Sequence, residues 1–157
     1  MSADVSHRLQ SVELDEESLA AASRDQEQER QIAIFDLLED NHFVPDGATG
    51  GPYDLRIALI DNRLALDIKG PSYQRRHLLS LSPLRGVVKD YHLVCESYFE
   101  AIRNATPQRI EALDMGRRGL HNEGSALLRA RLAGKVETDE DTERRLFTLI
   151  CALHWRG

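Results

Sequence analysis

Leu55-Arg56-Ile57-Ala58-Leu59-Ile60-Asp61-Asn62-Arg63-Leu64-Ala65-Leu66-Asp67-Ile68 decides the fold. Leu55, Ile57 and Leu59 alternate with Arg56 and Ala58, Asp61-Asn62-Arg63 turns the chain, and Leu64, Leu66 and Ile68 alternate with Ala65 and Asp67. A period of two on both sides of a turn is a β-hairpin with one wet face. Gly70-Pro71-Ser72 turns again, and a third strand over about Gln74–Leu81 extends the hairpin into an antiparallel meander. Upstream, Leu9, Val12 and Leu14 sketch a first strand. A helix is then predicted over Arg24–Asp40, with Gln28, Ile32, Phe35 and Leu38 on one face and Ile34 and Leu37 beside it. Pro45 to Pro52, with Asp46, Gly47, Gly50 and Gly51 between them, reads as a loop.

Downstream of the meander the apolar period becomes helical. Ser82 is the expected N-cap and Pro83 the first-turn proline of a helix to about Arg103, whose stripe is Leu84, Val87, Val88, Tyr91, Val94, Cys95, Tyr98 and Ile102. Thr106-Pro107 opens a second helix to about Leu132, closed by Gly134. Thr138 with Asp141 approximates a capping box, so a third helix is expected over about Asp139–Trp155, with Leu146, Leu149, Ile150 and Leu153 as its core stripe. The reading is an α+β fold: a small antiparallel sheet (N-terminal strand, helix, three-stranded meander) followed by a three-helix C-terminal half. Residues 1–157 are expected to form one domain, with 1–7 as a flexible N-terminus.

The chain of 157 residues is 41% hydrophobic and 29% charged, and no apolar run approaches the ~18 residues of a membrane span. Met1-Ser2-Ala3-Asp4-Val5-Ser6 lacks the basic and apolar regions of a secretory signal, so the cytoplasm is the expected compartment, without membrane attachment. Two cysteines are too few for a disulfide framework. The net charge of -6 is uneven: residues 1–40 carry three arginines against eleven acids, whereas Arg56 to Lys135 carries 14 basic and 8 acidic residues. Either the acidic arm covers the basic middle, or that middle attracts an anion.

Chemistry-bearing residues concentrate in Asp114-Met115-Gly116-Arg117-Arg118-Gly119-Leu120-His121-Asn122-Glu123-Gly124-Ser125. On a helix of about 100° per residue, Leu113, Gly116, Leu120, Gly124 and Leu127 share the expected core face, while Asp114, Arg117, Arg118, His121, Ser125 and Arg129 share the opposite one. Gly116 and Gly124 each cost about 1 kcal/mol against alanine in a helix interior, which suggests close packing of another element. Arg117, Arg118 and His121 could hold an anion, with Asn122 and Ser125 as further polar candidates, or pair with the protein's own acids such as Asp114. A Ser125-His121-Asp114 triad is unpromising, because one straight helix rarely points all three groups correctly and no nucleophile elbow is present. His92-x-x-Cys95 and Cys151-x-x-His154 match zinc-ligand spacing, but Cys95 sits within the stripe Tyr91-Val94-Cys95-Tyr98 and Cys151 follows Ile150, so both read as small buried hydrophobes; no metal and no cofactor are expected. Trp155 is expected to be buried, pinning the tail.

Leu79-Ser80-Leu81-Ser82-Pro83, Val88-Lys89-Asp90-Tyr91, Cys95-Glu96-Ser97-Tyr98, the 114–125 string and the ending Arg145-Leu146-Phe147-Thr148-Leu149 to His154-Trp155-Arg156-Gly157 together resemble a small family of bacterial proteins of unknown function. The resemblance runs from about Arg8 to Gly157 and implies a stand-alone bacterial cytoplasmic domain, with no catalytic or ligand residue to carry over. The leading expectation is therefore a non-enzymatic binding or regulatory module acting through a protein partner or a homo-oligomer, with the 114–125 face and the Arg75-Arg76 strand as surfaces. An anion-binding module for phosphate, nucleotide or RNA comes second. An enzyme of unrecognised type, with His121 as its acid or base, comes third.

Overall fold

The computed structural model describes residues 6–153. Its elements are β1 (Leu9–Leu14), α1 (Arg24–Glu39), β2 (Phe43–Pro45), β3 (Tyr53–Ile60), β4 (Arg63–Gly70), β5 (Tyr73–Ser80), α2 (Ser82–Asn104), α3 (Pro107–Leu132), β6 (Val136–Thr138) and α4 (Glu140–Ala152). The class is α+β, as expected. The meander forms in register, with Ile57 opposite Leu66 and Leu66 opposite His77. Asp61 and Asn62, both at positive φ, make the two-residue turn between β3 and β4, the left-handed pair that matches strand twist.

The sheet, ordered β1-β3-β4-β5, is mixed and not wholly antiparallel, because β1 pairs parallel to β3. A parallel partner requires a long crossover, and the segment containing α1 and β2 supplies it. β2 and β6 form a separate two-stranded antiparallel ribbon, each strand of three residues and too short to show a period. Leu55, Ile57, Leu64, Leu66 and Leu79 of the sheet enclose an apolar space with Leu128, Leu132, Leu146, Leu149 and Ile150 of α3 and α4. The other face of the sheet is a charged row. Arg56 meets Glu13 at 2.7 Å and Asp15 at 2.8 Å, and Arg76 grips Asp67 through two bonds of 2.6 and 3.0 Å. Part of the acidic arm thus covers a base from the middle of the chain.

Two helix starts and one helix face differ from expectation. Leu81, without a side-chain cap, precedes α2, so Ser82 is already helical. Asp139, and not Thr138, caps α4: its carboxylate accepts from the Thr142 amide at 2.9 Å, while the Thr138 hydroxyl donates to Glu143 at 3.2 Å. Ser23 caps α1 in a capping box with Gln26. α1 buries Arg30, Ala33 and Leu37, leaving Ile32 and Phe35 exposed. The rotation follows from Arg30, whose guanidinium donates to the carbonyls of Ala20, Ala152 and Leu153 at 3.0, 3.1 and 2.8 Å. A cation at the carbonyl end of α4 satisfies orphan acceptors that no apolar side chain could. Of the N-terminal residues expected to be loose, His7 is held, with its Nδ1 2.8 Å from the Tyr53 hydroxyl and its carbonyl accepting from the Phe43 amide at 3.0 Å.

Candidate functional site

α2 and α3 form an antiparallel hairpin, and the 114–125 string lies where it leaves the core. Apart from Ala101, the buried residues of α2 are Leu84, Val87 and Val88 near its start, and those of α3 are Gly124, Ser125, Leu128 and Leu132 near its end. The buried face of α3 is thus rotated from the expected one: Ser125 is inside, Gly116 is exposed, and Leu113, Leu120 and Leu127 are half-buried. Gly124 lies directly against the Phe147 ring, which a Cβ would overlap. Gly116 carries no such contact, since a Cβ there would meet only Val94 at 3.7 Å, an ordinary distance.

Of the charged residues Arg117 and Asp114 turn inward, whereas Arg118 stays exposed. Arg117 pairs with Asp114 and its guanidinium lies 5.0 Å over the Tyr98 ring, an arrangement that combines an ion pair with cation–π attraction. Asp114 also forms an ion pair with Arg118 at 3.1 Å, so two arginines share one carboxylate. Asn122 accepts from Arg144 of α4. The Ser125 hydroxyl donates to the His121 carbonyl one turn earlier at 2.9 Å, away from the imidazole. No triad is assembled: Asp114 is occupied by arginines and Ser125 by its own backbone.

His121 is packed edge-on between Tyr91 and Phe147, at centroid distances of 5.4 and 5.1 Å. Thr148 has a single hydroxyl hydrogen, which it donates to the Arg144 carbonyl at 3.1 Å; its oxygen therefore accepts from His121 Nε2–H at 2.8 Å. That leaves Nδ1 as the bare acceptor. Neither it nor Arg117 Nε has a partner among the described residues. Burial first, then the neighbouring Arg144 and Arg117, push the His121 pKa down to about 4. A neutral ring flanked by two cations is a poor proton donor at neutral pH.

The cysteines are equally quiet. Burial raises the Cys95 thiol, against the bond to Tyr91 and the charge of Arg117, and burial raises Cys151 further. Thiols held protonated are inert. His92 places Nε2 3.0 Å from the Cys151 carbonyl and not toward a shared metal position. His154 and Trp155 lie outside the described residues, among which no group of three His, Cys, Asp or Glu side chains is arranged to hold a metal. On β5, Arg75 meets Asp46 at 3.5 Å and Arg76 is spent on Asp67.

Exposed apolar groups are what remain. Beyond the core the hairpin presents Leu93, Phe99, Ile102 and Met115, with Phe99 64% and Met115 67% exposed. Ile102, expected inside the α2 stripe, is 50% exposed. The apolar stripe of α2 is wider than α3 alone can cover, a signal present in the sequence, and Phe99 lies at its edge.

The model of an uncharacterised protein family, UPF0262, matches residues 6–156. A UPF0262 protein of Phenylobacterium zucineum is 76% identical over 151 residues, covering 96% of this chain and 95% of its own. One from Caulobacter vibrioides is 73% identical over 155 residues, with 99% and 98% covered. One from Brucella abortus is 58% identical over 161 residues, with both chains fully covered at 100%. No solved structure matches the chain.

Proposed function

We propose that this chain, which belongs to the uncharacterised protein family UPF0262, is a non-enzymatic protein-interaction module whose recognition surface is the outer half of the α2–α3 hairpin. The observation that carries the reading is the exposure of Phe99 and Ile102, neighbours on one face of α2, and of Met115 on α3, on two long helices whose buried residues apart from Ala101 lie at the root. Large apolar groups exposed on one projecting element favour a protein contact, because burying the exposed half to two-thirds of each would stabilise a complex by about 1–2 kcal/mol. The inward-turned chemistry supports the same conclusion. An anion would have to displace Asp114 from Arg117 and Arg118, and the neutral His121 offers it no charge.

The test is site-specific photo-cross-linking in living cells, with the photoreactive side chain at Phe99, Ile102 or Met115 and, as controls, at Lys69 or Gln74 on the charged face of the sheet. Protein adducts are expected from the hairpin positions and not from the sheet. Adducts from the sheet alone, or none at all, refute the proposal.

A further inference from the structure

We infer that the occupant of this surface is a second copy of the chain, docked antiparallel along α2 about a two-fold axis at Phe99; the inference rests on the hairpin reading above. Among the described residues α4 ends at Ala152, beside His92, and the face of α2 that carries His92 and Cys95 continues past it. The next residues on that face, at helical spacings of four and seven from Cys95, are Phe99 and Ile102, both exposed. A helix face that is covered at its root and bare at its tip fits the same face of another copy.

Charge selects the partner and its direction. Glu96 and Arg103 flank Phe99 on the same side of this face, and neither forms an ion pair among the described residues. At about 1.5 Å per residue, Glu96 stands about 4.5 Å before Phe99 and Arg103 about 6 Å after it along the axis. A two-fold axis perpendicular to α2 at Phe99 reverses these positions while keeping both on the same flank. Glu96 of each copy then comes level with Arg103 of the other, twice, around a central pair of phenylalanines. A parallel two-fold arrangement instead carries Glu96 and Arg103 to opposite flanks and pairs neither of them. The surface is thus self-complementary, which is what an isologous interface requires.

The experiment is sedimentation velocity of the full chain over a wide concentration range, for the wild type and three variants. The wild type is expected to be a concentration-dependent dimer. Phe99→Glu is expected to weaken it at least about a hundredfold, and Glu96→Arg or Arg103→Glu alone about tenfold each. The decisive sample is the mixture of the two single charge variants. In it the two introduced charges, of opposite sign, meet each other across the axis, while the native Arg103 of one copy meets the native Glu96 of the other. It should form a heterodimer of wild-type affinity, although neither component pairs well with itself. Circular dichroism of each variant, all at exposed positions, confirms folding. A dimer untouched by Phe99→Glu, or a mixture no tighter than its components, overturns the inference. A monomeric wild type that still cross-links another protein at Phe99 overturns it too, while leaving the hairpin reading in place. A monomer with no adduct refutes both.

Discussion

Two glycines five residues apart in α3 should respond to the same substitution with opposite sign. At Gly124 an added methyl would overlap the Phe147 ring, which is fully buried and boxed by Tyr91 and His121. Alanine gains about 1 kcal/mol of helix propensity over glycine, but forcing a methyl against a ring without room typically costs about 1–3 kcal/mol. The ring is locked on several sides and cannot step aside, which places the cost in the upper part of that range, so Gly124→Ala is expected to lose about 1–2 kcal/mol net. At Gly119 nothing lies within 4 Å of the same methyl, so Gly119→Ala should gain about 0.5–1 kcal/mol. Urea unfolding followed by circular dichroism measures both, and in a domain of this size each kcal/mol moves Tm by about 2–4 °C. Phe147→Leu supplies the internal control: it should cost stability alone but soften the penalty of Gly124→Ala, a non-additivity that a double-mutant cycle reads directly. If Gly124→Ala equals or exceeds wild-type stability, or both substitutions shift it the same way, the packing argument fails.

Arg30→Ala should cost about 2–4 kcal/mol in urea unfolding, because it strands the carbonyls of Ala20, Ala152 and Leu153; Arg30→Lys should recover little, since one ammonium cannot reproduce the fork. Stability should fall as pH drops from about 6.5 to about 4 and then lose nothing more through His121: the folded ring, with its pKa of about 4, binds fewer protons than the unfolded one across that window. With the ring only half-buried, roughly 1–2 kcal/mol is expected, and His121→Gln should flatten that part of the pH profile. Arg118→Ala should change stability by less than about 1 kcal/mol, its side chain being 70% exposed, whereas Arg117→Ala should cost more through the lost contact with Tyr98. Titration of inorganic phosphate followed by NMR should leave the amides of 114–122 unmoved at low salt, and a salt-sensitive shift lost in the double arginine variant would reinstate an anion site.

The meander and the helical half were legible because their determinants are local. Period-two alternation broken by Asp61-Asn62 can be satisfied only by a hairpin, and Thr106-Pro107 with Gly134 marks both ends of α3. The parallel placement of β1 was not legible, since strand direction depends on the route of a crossover whose ends carry no local signal. The α1 face failed for a sharper reason. Hydrophobic periodicity assumes that apolar groups face inward, yet Arg30 sits inside on three carbonyls and turns Ile32 and Phe35 outward.

The same failure of a simple assumption governs the candidate site. Grouping Asp114, Arg117, Arg118, His121 and Ser125 on one helix face was a statement about a single helix in isolation, for which the side away from the leucines is the solvent side. α2 and α4 close over part of that side. Arg117 finds Tyr98, His121 finds Thr148, Asn122 finds Arg144, and Ser125 is buried against its own backbone. A helix gripped from two directions can place polar groups inside only if each is partnered, and most of these are. The polar string therefore ties α3 to its neighbours from Ser125 and His121 at the root out to Arg117 on Tyr98, beside a Phe99 whose own ring is left exposed.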